Sequence, residues 1–219
     1  MAKAATAASV IQIKPLNLKN IIVTIEGTAP LVVAAFSAKA AKAMADKMLQ
    51  GQQAKKGKAR EARDFDDDVE QARHRPVGEE WDGVAASAFR QAMISVCRLV
   101  GYKMTLAKMS LFVEADGIDR VSSIPLVRIQ SEGGHIKHVA AVRNATGVLD
   151  LRARPMWHDW KITLRIEFDA DQFSLSDVVN LLSRAGRQAG IGEGRPDSKA
   201  SAGQGWGTFK IAEVQEIAA

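Results

Sequence analysis

The segment at 190–196 reads GIGEGRP and runs on into DSKASAGQGWG. Glycine lacks a Cβ, so its backbone can come close to a phosphate, and successive N–H groups form an anion nest. Gly190, Gly192 and Gly194 supply that backbone, and Arg195 and Lys199 add positive charge beside it. The glycines follow a helical pattern, not a strand, so the segment is not a dinucleotide fingerprint. Without GK[ST] it is not a P-loop either. The bland alternative is a helix C-cap followed by a flexible approach to a hairpin.

A second concentration lies at 137–165, with six basic residues against two acidic ones. Arg143, Arg152 and Arg154 are candidate phosphate contacts, and Trp157 is a candidate stacking surface. Basic residues with aromatics between them suit an unpaired strand, because phosphates meet cations while bases stack. Trp160 falls in the phase of an apolar strand face and reads as core. A third lies at 51–63, where Lys55, Lys56, Lys58 and Arg60 make a basic arm. It reads as a grip on a phosphate backbone or on a neighbouring subunit, or as a solvated charge run.

Residues 64–70 read DFDDDVE. Asp66, Asp67 and Asp68 could bind Mg²⁺ and assist phosphodiester cleavage; a solvated acidic run is the alternative. His135 and His138 are spaced H-x-x-H without a supporting ligand at metal spacing, so no metal site is assigned. No GxSxG or HExxH motif is present. The residues assign no catalytic group and no cofactor, and the chain reads more readily as a binder than as an enzyme.

The elements that must position these groups belong to a chain of 219 residues, 47% hydrophobic and 25% charged. That is ordinary for a globular domain and excludes collagen-like, coiled-coil and wholly disordered chains. The single cysteine, Cys97, permits no intrachain disulfide and no thiolate cluster. It sits in an apolar helical pattern and reads as a buried inert thiol, not a nucleophile. The net charge of +5 is compatible with a polyanionic partner. No run of 18 apolar residues makes a membrane span. Residues 1–9 read as a disordered tail and not as a signal peptide, so a cytoplasmic location is expected.

Residues 21–26, IIVTIE, predict a strand closed by Gly27, and the alanine-rich 37–50 a helix with Ser37 as N-cap. The charge-rich stretch at about 51–78 predicts a long exposed, partly mobile insertion, since it has little to pack. Ala85, Phe89, Ala92, Val96 and Leu99 space a helix, with Asp82 as its cap and Gly101 at its end. Residues 108–115 and 124–130 predict strands, and 135–142 a further one. Strict alternation of Trp160, Ile162, Leu164, Ile166 and Phe168 predicts a half-buried strand. A helix from Leu175 follows a Ser174–Asp177 capping pair, and a last strand spans 206–214.

Reduced to its core this order is β-α-β-β-α-β. It predicts an α+β, ferredoxin-like (RRM-like) single domain over 10–219, an antiparallel sheet with two helices on one face. Domains of that kind bind single strands on the open sheet face.

The strand ending in Glu26-Gly27-Thr28, the insertion, the paired-strand middle, and the helix leading through GIGEGRP to a last strand together resemble the RAMP superfamily. The branch is the backbone subunit of CRISPR effector complexes or a shorter phage-encoded relative. That resemblance implies an RRM-like core polymerising along single-stranded nucleic acid, with the insertion as a thumb touching the adjacent subunit. The reading is therefore a sequence-independent binder of single-stranded RNA or DNA that oligomerises or forms filaments, without membrane contact. The rivals are a structural phage assembly protein free of nucleic acid and a metal-dependent ribonuclease using the acidic run.

Overall fold

The computed structural model describes residues 13–36, 38–49, 63–143, 149–198 and 203–216. The β-branched run lies in β1 (Leu18–Gly27), where Ile21, Val23 and Ile25 are buried and the residues between them half-buried. Period-two alternation places the three on one face. After it come β2 (Leu31–Val32), α1 (Ala38–Leu49) and α2 (Phe65–Gln71). β3 (Gly83–Ala85) runs directly into α3 (Ala86–Val96), which ends in a 3-10 turn, Cys97–Leu99. α4 (Met104–Ser110), β4 (Leu111–Val113), β5 (Gly117–Ile118) and β6 (Pro125–Arg128) follow. Then come the paired strands β7 (Ile136–Arg143) and β8 (Leu149–Trp157), and β9 (Lys161–Asp169). α5 (Leu175–Arg184) passes through a π-helical turn, Ala185–Ala189, towards β10 (Phe209–Glu216).

The main sheet has the order β10-β1-β9-β4, antiparallel throughout. Ile21 faces Ile166, Val23 faces Leu164 and Ile25 faces Ile162, so the apolar halves of β1 and β9 fall in register. α3 stands between β1 and β4 in the chain, and α5 between β9 and β10; the two helices pack together. Phe89, Met93 and Val96 of α3 and Val178, Leu181 and Leu182 of α5 join the sheet residues in one core. Burying each such large side chain is worth about 1.5–3 kcal/mol. Trp160 caps the end of this core. Its indole lies over Gly27, where any Cβ would collide with the ring, and its Nε1 donates to the Ala29 carbonyl at 2.9 Å. Two three-stranded antiparallel sheets, β2-β8-β7 and β3-β6-β5, flank the main one.

The structure departs from the sequence reading at several elements. Residues 108–110 finish α4 instead of starting a strand. Arg90 donates from Nε to the Leu111 carbonyl at 2.7 Å and from Nη2 to the Lys108 carbonyl, so an arginine satisfies that helix end. Asp82 does not cap α3. It pairs with Arg73 through two bonds of 2.7 and 2.9 Å, and Ala85 stands at the N-cap. Leu99 is 55% exposed, because the 3-10 turn rotates it off the buried stripe. β8 is a strand that sequence reasoning passed over.

The described part of the 51–78 segment forms a helix whose acidic side is largely exposed and whose other side packs inward. Asp64 caps α2 by accepting from the Asp66 and Asp67 amides at 2.9 and 3.4 Å, and the following acids sit at the favourable end of the helix dipole. Val69 and Ala72 are buried, and α2 packs on β8. Residues 51–62, with Lys55, Lys56, Lys58 and Arg60, lie outside the described residues.

Candidate functional site

α3 and the loop at 190–198 enclose a cleft of about 810 Å³. Ala85, Ala88 and Ala92 form the α3 wall, with Ser95 and Arg98 at its far end. The N-cap Ala85 makes no side-chain capping bond, and the first turn holds no acidic residue. The first N–H groups of a helix lack intrahelical partners, so this rim carries partial positive charge. The opposite wall comes from Gly190, Ile191, Gly192, Glu193, Arg195 and Asp197.

The loop is seated by its backbone. Gly190 donates to the Ala185 carbonyl at 2.8 Å and ends the π-helical turn. Ile191 N–H bonds the Gly207 carbonyl at 3.0 Å, Gly207 N–H bonds the Pro30 carbonyl at 2.8 Å, and Glu193 N–H bonds the Val32 carbonyl at 2.9 Å. Gly192 has φ +74°, and a Cβ there would overlap the Val32 carbonyl oxygen. Gly207, at φ +64°, would overlap the Ile191 carbonyl in the same way. The open sides of Gly190 and Gly194 are filled by Pro196 and Trp206. The glycines therefore let the loop lie flat on β2 and on the approach to β10, a tertiary demand beside any approach of a ligand.

Of the residues singled out from sequence, Gly190, Gly192, Gly194 and Arg195 meet in this loop. Arg154 joins them, because its Nε pairs with Glu193 at 3.0 Å. Arg195 donates from Nη1 to the Gly192 carbonyl at 3.0 Å. Arg152 sits two residues along β8 on the same face as Arg154, its Nε 3.9 Å from Asp150. Arg143 pairs across the strands with Leu149, its side chain outside the description, and Lys199 lies outside the described residues. Trp157 requires correction. It is 1% exposed and pairs with Leu31, so no ring face is free to stack on a base. The half-exposed indole of this region is Trp206, which packs on Gly194 and meets the His138 ring edge-on at 5.2 Å. Arg98, Ser95 and Asp197 were also missed. Arg98 was legible as a charge next to the buried Cys97; its pairing with Asp197, 99 residues on, was not.

The open face of the main sheet carries ion pairs. Glu26 lies between Lys161 at 3.4 Å and Lys210 at 3.2 Å, and hydrogen bonds from Lys210 and Lys161 hold its carboxyl below the usual range. Arg165 pairs with Glu114 at 3.0 Å and Asp116 at 2.8 Å. The third sheet adjoins β9 through reciprocal Gln130–Lys161 backbone bonds, and Trp81, Arg128, Thr163 and Arg165 line a polar pocket there. These ion pairs give the sheet face a mixed charge while Lys161 and Lys210 stay more than half exposed.

The acidic run is committed to protein partners: Asp64 to the α2 cap, Asp66 to Lys137 at 2.6 Å and Asp68 to Arg63 at 2.6 Å. Among the described residues no group of three or more His, Cys, Asp or Glu is placed to hold a metal ion. Cys97 is fully buried, and burial pushes its thiol up. No described helix is long and apolar enough to cross a membrane.

No family model matches the sequence, and no curated protein does. Among solved structures, a similar chain occurs in the cryo-EM structure of the Type III-B Cmr-beta bound to cognate target RNA, with a TM-score of 0.55 at 9% identity. The likeness covers 92% of this chain and 61% of that one, so this chain spans less than two thirds of its neighbour's length. At that identity what the two chains share is the fold, a mixed α/β arrangement of antiparallel sheets.

Proposed function

We propose that the protein is a non-catalytic, sequence-independent binder of single-stranded nucleic acid, RNA in the first place, and that copies line up along the strand. The core is read as ferredoxin-like, of the RAMP kind. The strand order β10-β1-β9-β4, with α3 and α5 as the two crossover helices, supports that reading. The observation that carries the function is the cleft, which sets the uncapped start of α3 opposite a glycine loop bearing Arg195. Backbone amides and guanidinium groups meet phosphates, and phosphate contacts position a strand without reading its sequence. The fold likeness to a chain from an RNA-bound complex agrees with this choice of ligand.

Fluorescence anisotropy with short RNA and DNA strands of mixed sequence, across a salt series, tests it. Each phosphate contact on a single strand adds about −0.7 to the slope of log Kobs against log salt. Binding to unrelated sequences with similar affinity and a slope of at least two contacts is expected, and Arg195→Ala should remove about 0.7 of that slope. Absence of binding at low salt would overturn the proposal. Self-association is tested by sedimentation with and without the strand, where only a strand-length-dependent series of complexes supports it.

A further inference from the structure

The cleft contains a carboxylate where a polyanion is to bind, and its geometry explains why. Asp197 Oδ2 accepts from the Ser95 hydroxyl, and its Oδ1 accepts from Arg98 Nη2 at 2.6 Å. The Asp197 amide donates to the Ala189 carbonyl at 3.1 Å. One residue thus ties the outgoing limb of the glycine loop to the far end of α3 and to the π-helical turn. The other charged side chains on the described part of this limb reach elsewhere, Glu193 to Arg154 and Arg195 back to the Gly192 carbonyl.

We propose that Asp197 is a positioning residue: its carboxylate latches the loop onto α3 and orients Arg98, so that Arg98 and Arg195 face one strand path. The inference rests on the nucleic-acid reading above. Arg98 stays 55% exposed at its side chain while paired, and a guanidinium has five donors, so it can hold Asp197 and meet a phosphate at once. The Ser95 hydroxyl, and after it Arg98, hold the Asp197 carboxyl below the usual range, which agrees with a latch that is ionised at neutral pH.

The latch makes a prediction opposite in sign to simple electrostatics. Removing a negative charge from a polyanion cleft should tighten binding, whereas opening the latch should weaken it. The experiment measures anisotropy of a mixed-sequence RNA strand on wild type, Asp197→Asn and Ser95→Ala across a salt series, together with hydrogen exchange of the free proteins. For Asp197→Asn the expected result is about tenfold weaker binding, the usual scale for losing a charge-assisted hydrogen bond. The salt slope should also become shallower by about 0.7 or more, as Arg195 or Arg98 loses its phosphate. Amides of residues 190–197 should exchange about tenfold faster in the free variant. A purely structural role would lower the bound fraction and leave the slope unchanged, and that outcome overturns the proposal, as does equal or tighter binding. Should Asp197→Asn unfold, Ser95→Ala decides: it removes one neutral donor, and several-fold weaker binding with faster loop exchange is expected, while wild-type behaviour in both overturns the latch. A wild type that binds no strand overturns the function proposed above and with it the positioning role.

Discussion

Replacing Gly192 with alanine tests whether the glycine loop is seated on β2 as described. Gly192 has φ +74°, a conformation that costs an L-residue about 1–2 kcal/mol. The added Cβ also overlaps the Val32 carbonyl oxygen, which accepts the Glu193 amide at 2.9 Å. The overlap is relieved only by moving the loop off β2, which forfeits that bond, a further ~0.5–1.5 kcal/mol. The sum is roughly 1.5–3.5 kcal/mol, and for a chain of this size each kcal/mol shifts Tm by about 2–4 °C. A fall of roughly 3–14 °C is therefore expected by circular dichroism, with strand affinity lost in parallel. Two controls separate the causes. Gly134 has φ +62° with nothing within 4 Å of a Cβ, so Gly134→Ala carries only the conformational part. Gly133 has neither constraint, and Gly133→Ala should be near neutral. If Gly192→Ala is no worse than Gly134→Ala, the loop does not rest on the Val32 carbonyl and the description of the cleft wall is wrong.

Asp119→Ala should destabilise by about 3–5 kcal/mol in urea titration, because it strands the Ser122 and Val121 amides, the Arg75 amide, the Ser122 hydroxyl and buried His74; a loss below about 1 kcal/mol would refute this count of partners. Burial pushes the Asp119 carboxyl up, but the Ser122 amide and hydroxyl outweigh it and leave it below its ordinary value, as the Ser174 hydroxyl does for Asp177. Groups depressed in the folded state add stability above the unfolded value near 3.8 and lose it as pH falls through the lower native values. Urea midpoints should therefore drop steeply below about pH 4, and Asp177→Asn should flatten that limb; an unchanged limb would count against the capping box. Trp157→Ala should cost about 3–5 kcal/mol of stability and leave the affinity of the folded fraction unaltered; a selective loss of affinity would restore the stacking role denied to this ring.

Several elements could be read without coordinates, because their signals are local. The alternation from Trp160 to Phe168 needs only the two-residue period of a strand, and those five side chains are all buried. The Ser174–Asp177 capping box is complete within four residues, and both of its bonds form. Gly190 does end the second helical segment, at φ +65°. The order of strands and helices in sequence also pointed to a mixed chain with antiparallel strands, and its sheets are antiparallel.

Other features were decided between segments far apart in the chain. The acidic run became a helix because α2 had β8 to pack on, which its composition does not report. Trp157 was drawn into the core by pairing with Leu31, 126 positions earlier, and so lost the role its neighbours in sequence implied. The ion pairs of Glu26, Glu114 and Asp116 with the lysines and arginine of β9 and β10 arise only once the strands are aligned. The glycine loop was legible as backbone free of side chains; what faces it was not. The uncapped start of α3, Arg98 and Asp197 reach that loop through folding alone, because charge pairing and close packing act through space while sequence spacing records only the periods of single elements.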